Sequence, residues 1–381
     1  MGETTRKEDS EMEILKNELK KIFVHEKGFI IIVTFFLYKI VSFFIFDQPV
    51  NYDMYQYQDE YEPYLEEIDY KVTAKTEEFI TSESKKIAQA HSTIQKLNES
   101  YFNGDIPKEQ YNADIKEAES VIQREKGFNV LMQQYFYANN NSQQRYLLQY
   151  NGWAGLLSKE EVDVAFVLMI IMLVLPIFCE EYSCNMDMLL ITSSKGGSYT
   201  IKKKIQIAIV LSVCLSIVNS ITEVILYGMK YGLDHGNFPL QSLEYYAQCS
   251  KNISIIQAYL GVSILRIIGV MYLSIILILL SVIIKRYALI FFCMLSGLLI
   301  PCFIFGNETI KYHLCLPIGL LLGVGYFRGS ESLTSEYALN ETILFQEITN
   351  KELMLHIMII LIIYVVIRKY VINANTNQWC K

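Results

Sequence analysis

Three ionisable side chains stand inside runs that are otherwise apolar: Lys39, Glu223 and Arg266. A charge in hydrocarbon costs several kcal/mol unless it is paired or hydrated, so each of them marks a protein interior or a water-filled path. Lys39 lies seven residues before its run ends at Phe46, Glu223 four before its run ends at Tyr227, and Arg266 ten residues after its run begins at Ile256. At about 1.5 Å per helical residue, the three fall within about 10 Å of one another in depth, in the same half of a bilayer. With Asn219 they form a candidate polar cluster lining a substrate path. A second arrangement meets the same cost: Lys39 snorkels to the surface and Arg266 forms a structural pair with Glu223.

The elements that must hold these residues follow from hydropathy. The chain has 381 residues, 52% of them hydrophobic, and the apolar residues are clustered rather than spread. Six runs approach or exceed the length needed to cross a bilayer as helices: 28–46, 163–179, 205–227, 256–284, 287–305 and 353–367. Backbone in lipid must satisfy its own hydrogen bonds, so these runs are expected to be helices. The expected fold is an all-α membrane protein of six spans. The first 27 residues are charged and lack a small-residue cleavage site, so the first run is expected to remain as a membrane helix. Within 1–27, Ile14, Leu15, Leu19, Ile22 and Phe23 fall at helical spacing among lysines, the pattern of an amphipathic helix on a membrane surface.

Lysine and arginine concentrate in 1–27, around 195–204, at Lys285-Arg286 and at Arg368-Lys369. By the positive-inside rule these segments and both termini, including the tail 368–381, face the cytoplasm. That topology puts the polar insertion 47–162 outside. There Ile87, Ala90, Ile94, Leu97 and Tyr101 step by three and four, as do Tyr111, Ile115, Ala118 and Ile122. Asn103-Gly104-Asp105-Ile106-Pro107 is a turn between them, so a large extracellular helical hairpin is expected. Its Tyr-, Gln- and Asn-rich return limb, Phe128 to Leu157, ends near Trp153, expected at the membrane interface. Within 306–352, the stretch His313 to Phe327 is apolar but broken by Pro317 and glycines, which fits a re-entrant or interfacial segment better than a crossing.

The search for catalytic motifs is negative. No GxxxxGK[ST], HExxH or GxSxG occurs, and the five histidines are scattered. The eight cysteines show no CxxC; Cys249 and Cys315 fall in loops expected outside and are candidates for a disulfide. No metal site, catalytic residue or cofactor of the chain's own is expected. The net charge of −7 comes without a basic patch, so nucleic acid is not an expected partner.

The remaining feature is FCEEYSCNMDMLLITSSKGGSYTIKKK, Phe178 to Lys204, between the second and third runs. It has acidic Glu180, Glu181 and Asp187, apolar Met188, Leu189 and Leu190, a Thr192–Ser194 turn, Gly196-Gly197, and three lysines entering the next run. With six spans, a leading amphipathic helix and this loop, the chain resembles a permease of the ABC-2 family, the membrane subunit of a type V exporter. The resemblance spans nearly the whole chain in topology and this loop in motif. It implies that 180–204 is a coupling loop docking on a separate ATP-binding subunit through Glu180, Glu181, Asp187, Met188, Leu189 and Leu190. It further implies ATP and Mg²⁺ bound by that partner, a second permease, contact with membrane lipids and location in a cell membrane, of a bacterium by the enlarged exterior domain. The expected function is export of an amphipathic antimicrobial peptide or lipid-like molecule. The alternative is a membrane sensor or scaffold whose exterior hairpin binds a ligand.

Overall fold

Helical spacing in the sequence becomes helix nearly throughout. The computed structural model describes residues 16–139, 145–183, 198–306, 309–333 and 342–378. They are mostly helical and divide into two compact units. One, the apolar unit, is made of 1–47, 159–226 and 259–381; the other, the polar unit, is made of 48–158 and 227–258.

The apolar unit begins with α1 (16–25), whose last turns, Lys21–His25, are a π-helix. There follow α2 (Gly28–Phe46), α9 (Val164–Ser183), α10 (Ser198–Tyr231), α11 (Ile255–Ile284), α12 (Tyr287–Phe305) and α15 (Asn350–Gln378), with α3 to α8 in the polar unit and α13 and α14 described below. Among the described residues, five helices are long and apolar enough to cross a membrane: Gly28–Phe46, Lys202–Tyr231, Ile255–Ile284, Tyr287–Phe305 and Asn350–Lys369. The apolar part of α9, Val164–Glu180, is shorter. This composition is compatible with a multi-pass membrane protein. α9 is the most deeply packed, with Ile170, Ile171, Leu175 and Ile177 fully buried. α2 and α15 instead leave Phe29, Leu37, Phe46, Met358, Leu361 and Val365 exposed. Water penalises such faces and lipid does not.

The stretch 306–352 contains no span-length helix among its described residues. It is broken into α13 (Ile310–His313), α14 (Ile318–Leu322), a 3₁₀ turn at Val324–Tyr326, and strands β1 (Glu331–Leu333) and β2 (Thr342–Phe345). The strands pair antiparallel, Ser332 opposite Ile343, an element the helical spacing did not announce. α14 lies close against α11 because position 269 is glycine: a Cβ there would approach the Leu321 nitrogen to 2.8 Å.

The polar unit holds α3 (Tyr52–Gln56), α4 (Gln58–Glu67), α5 (Ala74–Phe102), α6 (Lys108–Gln123), α7 (Glu125–Asn139) and α8 (Asn151–Leu157). α5 starts at a capping box, where Thr73 and Thr76 satisfy each other's backbone N–H groups. α5 and α6 pack together across the turn at Gly104 (φ +80°). The return limb is two helices, and α7 packs on α4 around Tyr61, Tyr64, Leu65, Phe128 and Leu131. The segment 227–258 belongs to this unit as well. Trp153 is therefore core, 5% exposed, its indole N–H donating to the Asp234 carbonyl at 2.8 Å. Cys249 is buried, Cys315 is exposed, and neither is in a disulfide, so the candidate bridge is absent.

Candidate functional site

The charges that interrupt the apolar runs meet within the apolar unit. α2 presents Lys39, α10 presents Asn219 and Glu223 one helical turn apart, and α11 presents Arg266. The Lys39 ammonium donates to Asn219 Oδ1 (2.6 Å), Glu223 Oε1 (2.8 Å) and Asp163 Oδ2 (3.0 Å). Arg266 Nη1 donates to the other Glu223 oxygen at 2.9 Å, and its Nε to the Leu322 carbonyl at 3.3 Å. Glu223 and Asn219 are each 7% exposed. Lys39 thus points inward to three acceptors rather than snorkelling, and the Arg266–Glu223 pair is present beside it. Such pairing offsets the desolvation of each charge, and removal of one partner leaves the others exposed to its full cost.

Two members of this group were missed by sequence reasoning. Asp163 precedes α9 and caps it, its Oδ1 accepting from the Phe166 N–H at 2.9 Å while Oδ2 holds Lys39. The available signal was an Asp at a helix start, three residues before the N–H it accepts. Lys159 lies in the same connector, and burial pushes its ammonium pKa down against the pull of Glu223 and Asp47. The neighbouring Glu160 gathers two more cations. Arg328 donates to it at 2.5 Å, and Lys311, 2% exposed, lies 3.6 Å from its carboxylate and donates to the backbone carbonyls of Glu160 and Gly306. Burial also lowers the Lys311 pKa, opposed chiefly by Glu160.

At the other expected site, the described residues are the roots of the loop. Glu180 closes α9 and pairs with Lys21 of α1 at 2.9 Å. Glu26, just beyond α1, shares a hydrogen bond with Glu180; that bond, with partial burial, pushes its carboxyl up to about 7. On the returning side, Lys204 is 1% exposed, donates to the Ile177 carbonyl at 3.1 Å and lies 3.7 Å from Glu18 of α1. The side chain of Glu181, and Asp187, Met188, Leu189 and Leu190 altogether, lie outside the described residues. Among the described residues no group of three or more His, Cys, Asp or Glu is placed to hold a metal ion.

No family model, curated protein or solved structure matches this chain.

Proposed function

We propose that the protein is the membrane-spanning subunit of an ATP-driven exporter, moving an amphipathic peptide or lipid-like molecule outward with ATP hydrolysed by a separate subunit. The observation that carries this reading is the double tether at the loop roots: Lys21–Glu180 on one side and Glu18–Lys204 on the other join α1 to both helices that flank 184–197. A push on that loop would be delivered to α9, α10 and α1 together, as a lever requires. In this reading α9 is a sixth crossing, both termini and the loop are cytoplasmic, and the polar unit faces outward. Lys39, Asn219, Glu223 and Arg266 then stand where substrate passes, their mutual pairing keeping the route closed at rest. ATP and Mg²⁺ belong to the partner, and a second permease, identical or sibling, completes the route.

A receptor or scaffold is the second reading, favoured by the polar unit's own core around Tyr61, Tyr64 and Leu131. It requires no route through the helices. The test that separates them is affinity capture of the full chain from its native membranes. A nucleotide-hydrolysing subunit is expected to accompany the wild-type chain and to be lost from the Glu180→Lys, Glu181→Lys variant at unchanged expression. Full ATP-dependent export by that variant would remove the loop from the mechanism.

A further inference from the structure

The polar unit contains a cavity of about 240 Å³ to which α7, the strand-like stretch after 145 and the turn at 242–244 contribute. Tyr137, Tyr146 and Tyr150 line it together with Gln133, Ser242 and Glu244. The tyrosines are fixed from behind. Tyr146 stacks on Phe238 with ring centroids 4.4 Å apart, and Tyr137 donates its hydroxyl proton to the Gln241 carbonyl at 2.8 Å. Tyr150 accepts from the Asn51 amide at 3.1 Å, which leaves its own hydroxyl proton for another acceptor. Held rings present their π faces without the entropy cost of ordering them on binding.

We propose that this cavity binds an alkylammonium group, carried either on a lysine side chain of a peptide or on a small free amine. Among the described residues, Glu244 is the one ionised side chain lining it, and no Lys or Arg does. An anion would therefore meet that carboxylate inside the cavity, whereas an ammonium gains it together with the electron-rich faces of Tyr146 and Tyr150. Arg145 does not line the cavity, but its guanidinium stacks on the Tyr137 ring, 4.2 Å from the centroid, and donates to the Tyr137 and Ala247 carbonyls, so the faces that attract an ammonium are those of Tyr146 and Tyr150. Among the described residues, Gln133 and Glu244 make no side-chain hydrogen bond, so both remain available to a ligand; Gln133 adds a carbonyl acceptor. The volume lies below that of drug-sized sites, room for one side chain rather than a folded partner.

The test is calorimetric titration of the purified full-length chain in lipid nanodiscs with n-butylammonium, with N-acetyl-lysine methylamide, and with N-acetyl-norleucine methylamide as the uncharged counterpart. Saturable binding of the charged probes is expected, weakened roughly tenfold or more by Glu244→Gln, the loss of one charge-assisted contact. Tighter binding of the lysine derivative than of butylammonium assigns the site to a peptide, and equal binding to a free amine. Equal affinity for the norleucine derivative, no saturation by either cation up to about 10 mM, or an unchanged affinity in Glu244→Gln would each overturn the proposal. Glu244 is exposed, and its isosteric replacement leaves the packing of the unit intact.

Discussion

Glu83 in the polar unit and Glu223 in the apolar unit are the same residue type at the same exposure, 7%. Glu83 accepts from the Tyr64 hydroxyl at 3.2 Å and pairs with Lys86, whose side chain is 61% exposed. Its charge is shared with water through a flexible cation. Glu223 is held between Lys39 and Arg266, whose side chains are 13% and 14% exposed. Here neutralisation comes from protein alone, so the group stands or falls together. The polar unit sets Glu83 against a cation at its edge, holds the buried Arg145 on backbone carbonyls, and fills its core with Tyr–Gln contacts such as the Tyr61 hydroxyl donating to Gln134 at 2.5 Å. In the apolar unit the ions between α2, α10 and α11 are neutralised chiefly by one another.

Replacing Glu223 by Leu would break this contrast most severely. It leaves Arg266 without its carboxylate and Lys39 with only Asp163 and Asn219, and a loss of about 3–5 kcal/mol is expected, read as reduced unfolding free energy in detergent. A combined Lys39→Met, Glu223→Leu, Arg266→Met variant should recover most of that loss, because an apolar cluster replaces an ionic one. Transport would not return with it if the charges line the path. Glu83→Gln should cost about 1 kcal/mol or less, since the Tyr64 hydroxyl keeps an acceptor and the exposed Lys86 returns to water.

A further expected effect is a pH slope. Glu26 is raised from 4.5 to about 7 beside Glu180, so over that interval the folded chain holds a proton that the unfolded chain has released. Stability from this group is therefore present at low pH, falls as pH rises from 4.5 through about 7, and is level above. Thermal unfolding followed across this range should show a decline that Glu26→Gln flattens.

Hydropathy made the long helices legible: a run such as Gly28–Phe46 reads the same in sequence and in structure because lipid-length helices depend on local composition. The same reasoning singled out Lys39, Asn219, Glu223 and Arg266, since each interrupts an apolar run. Asp163 and Lys159 lie just outside such a run, where charges are ordinary, and only the fold brings Asp163 against Lys39. The union of 227–258 with 48–158 depends on contacts such as Tyr246 with the Leu157 carbonyl, 89 residues apart, which no local pattern encodes. The cavity left a compositional trace, because Gln133, Tyr137, Tyr146 and Tyr150 belong to the Tyr-, Gln- and Asn-rich limb. Ser242 and Glu244 come from the distant segment and gave none.

The most direct test is the mass of the intact assembly extracted from native membranes. The exporter account predicts two permease chains, at least one of them this 44.1 kDa chain, in a fixed ratio with nucleotide-binding subunits whose ATP hydrolysis disappears when the loop roots are charge-reversed. A particle containing this chain alone, or one that hydrolyses ATP without a second kind of subunit, would contradict it.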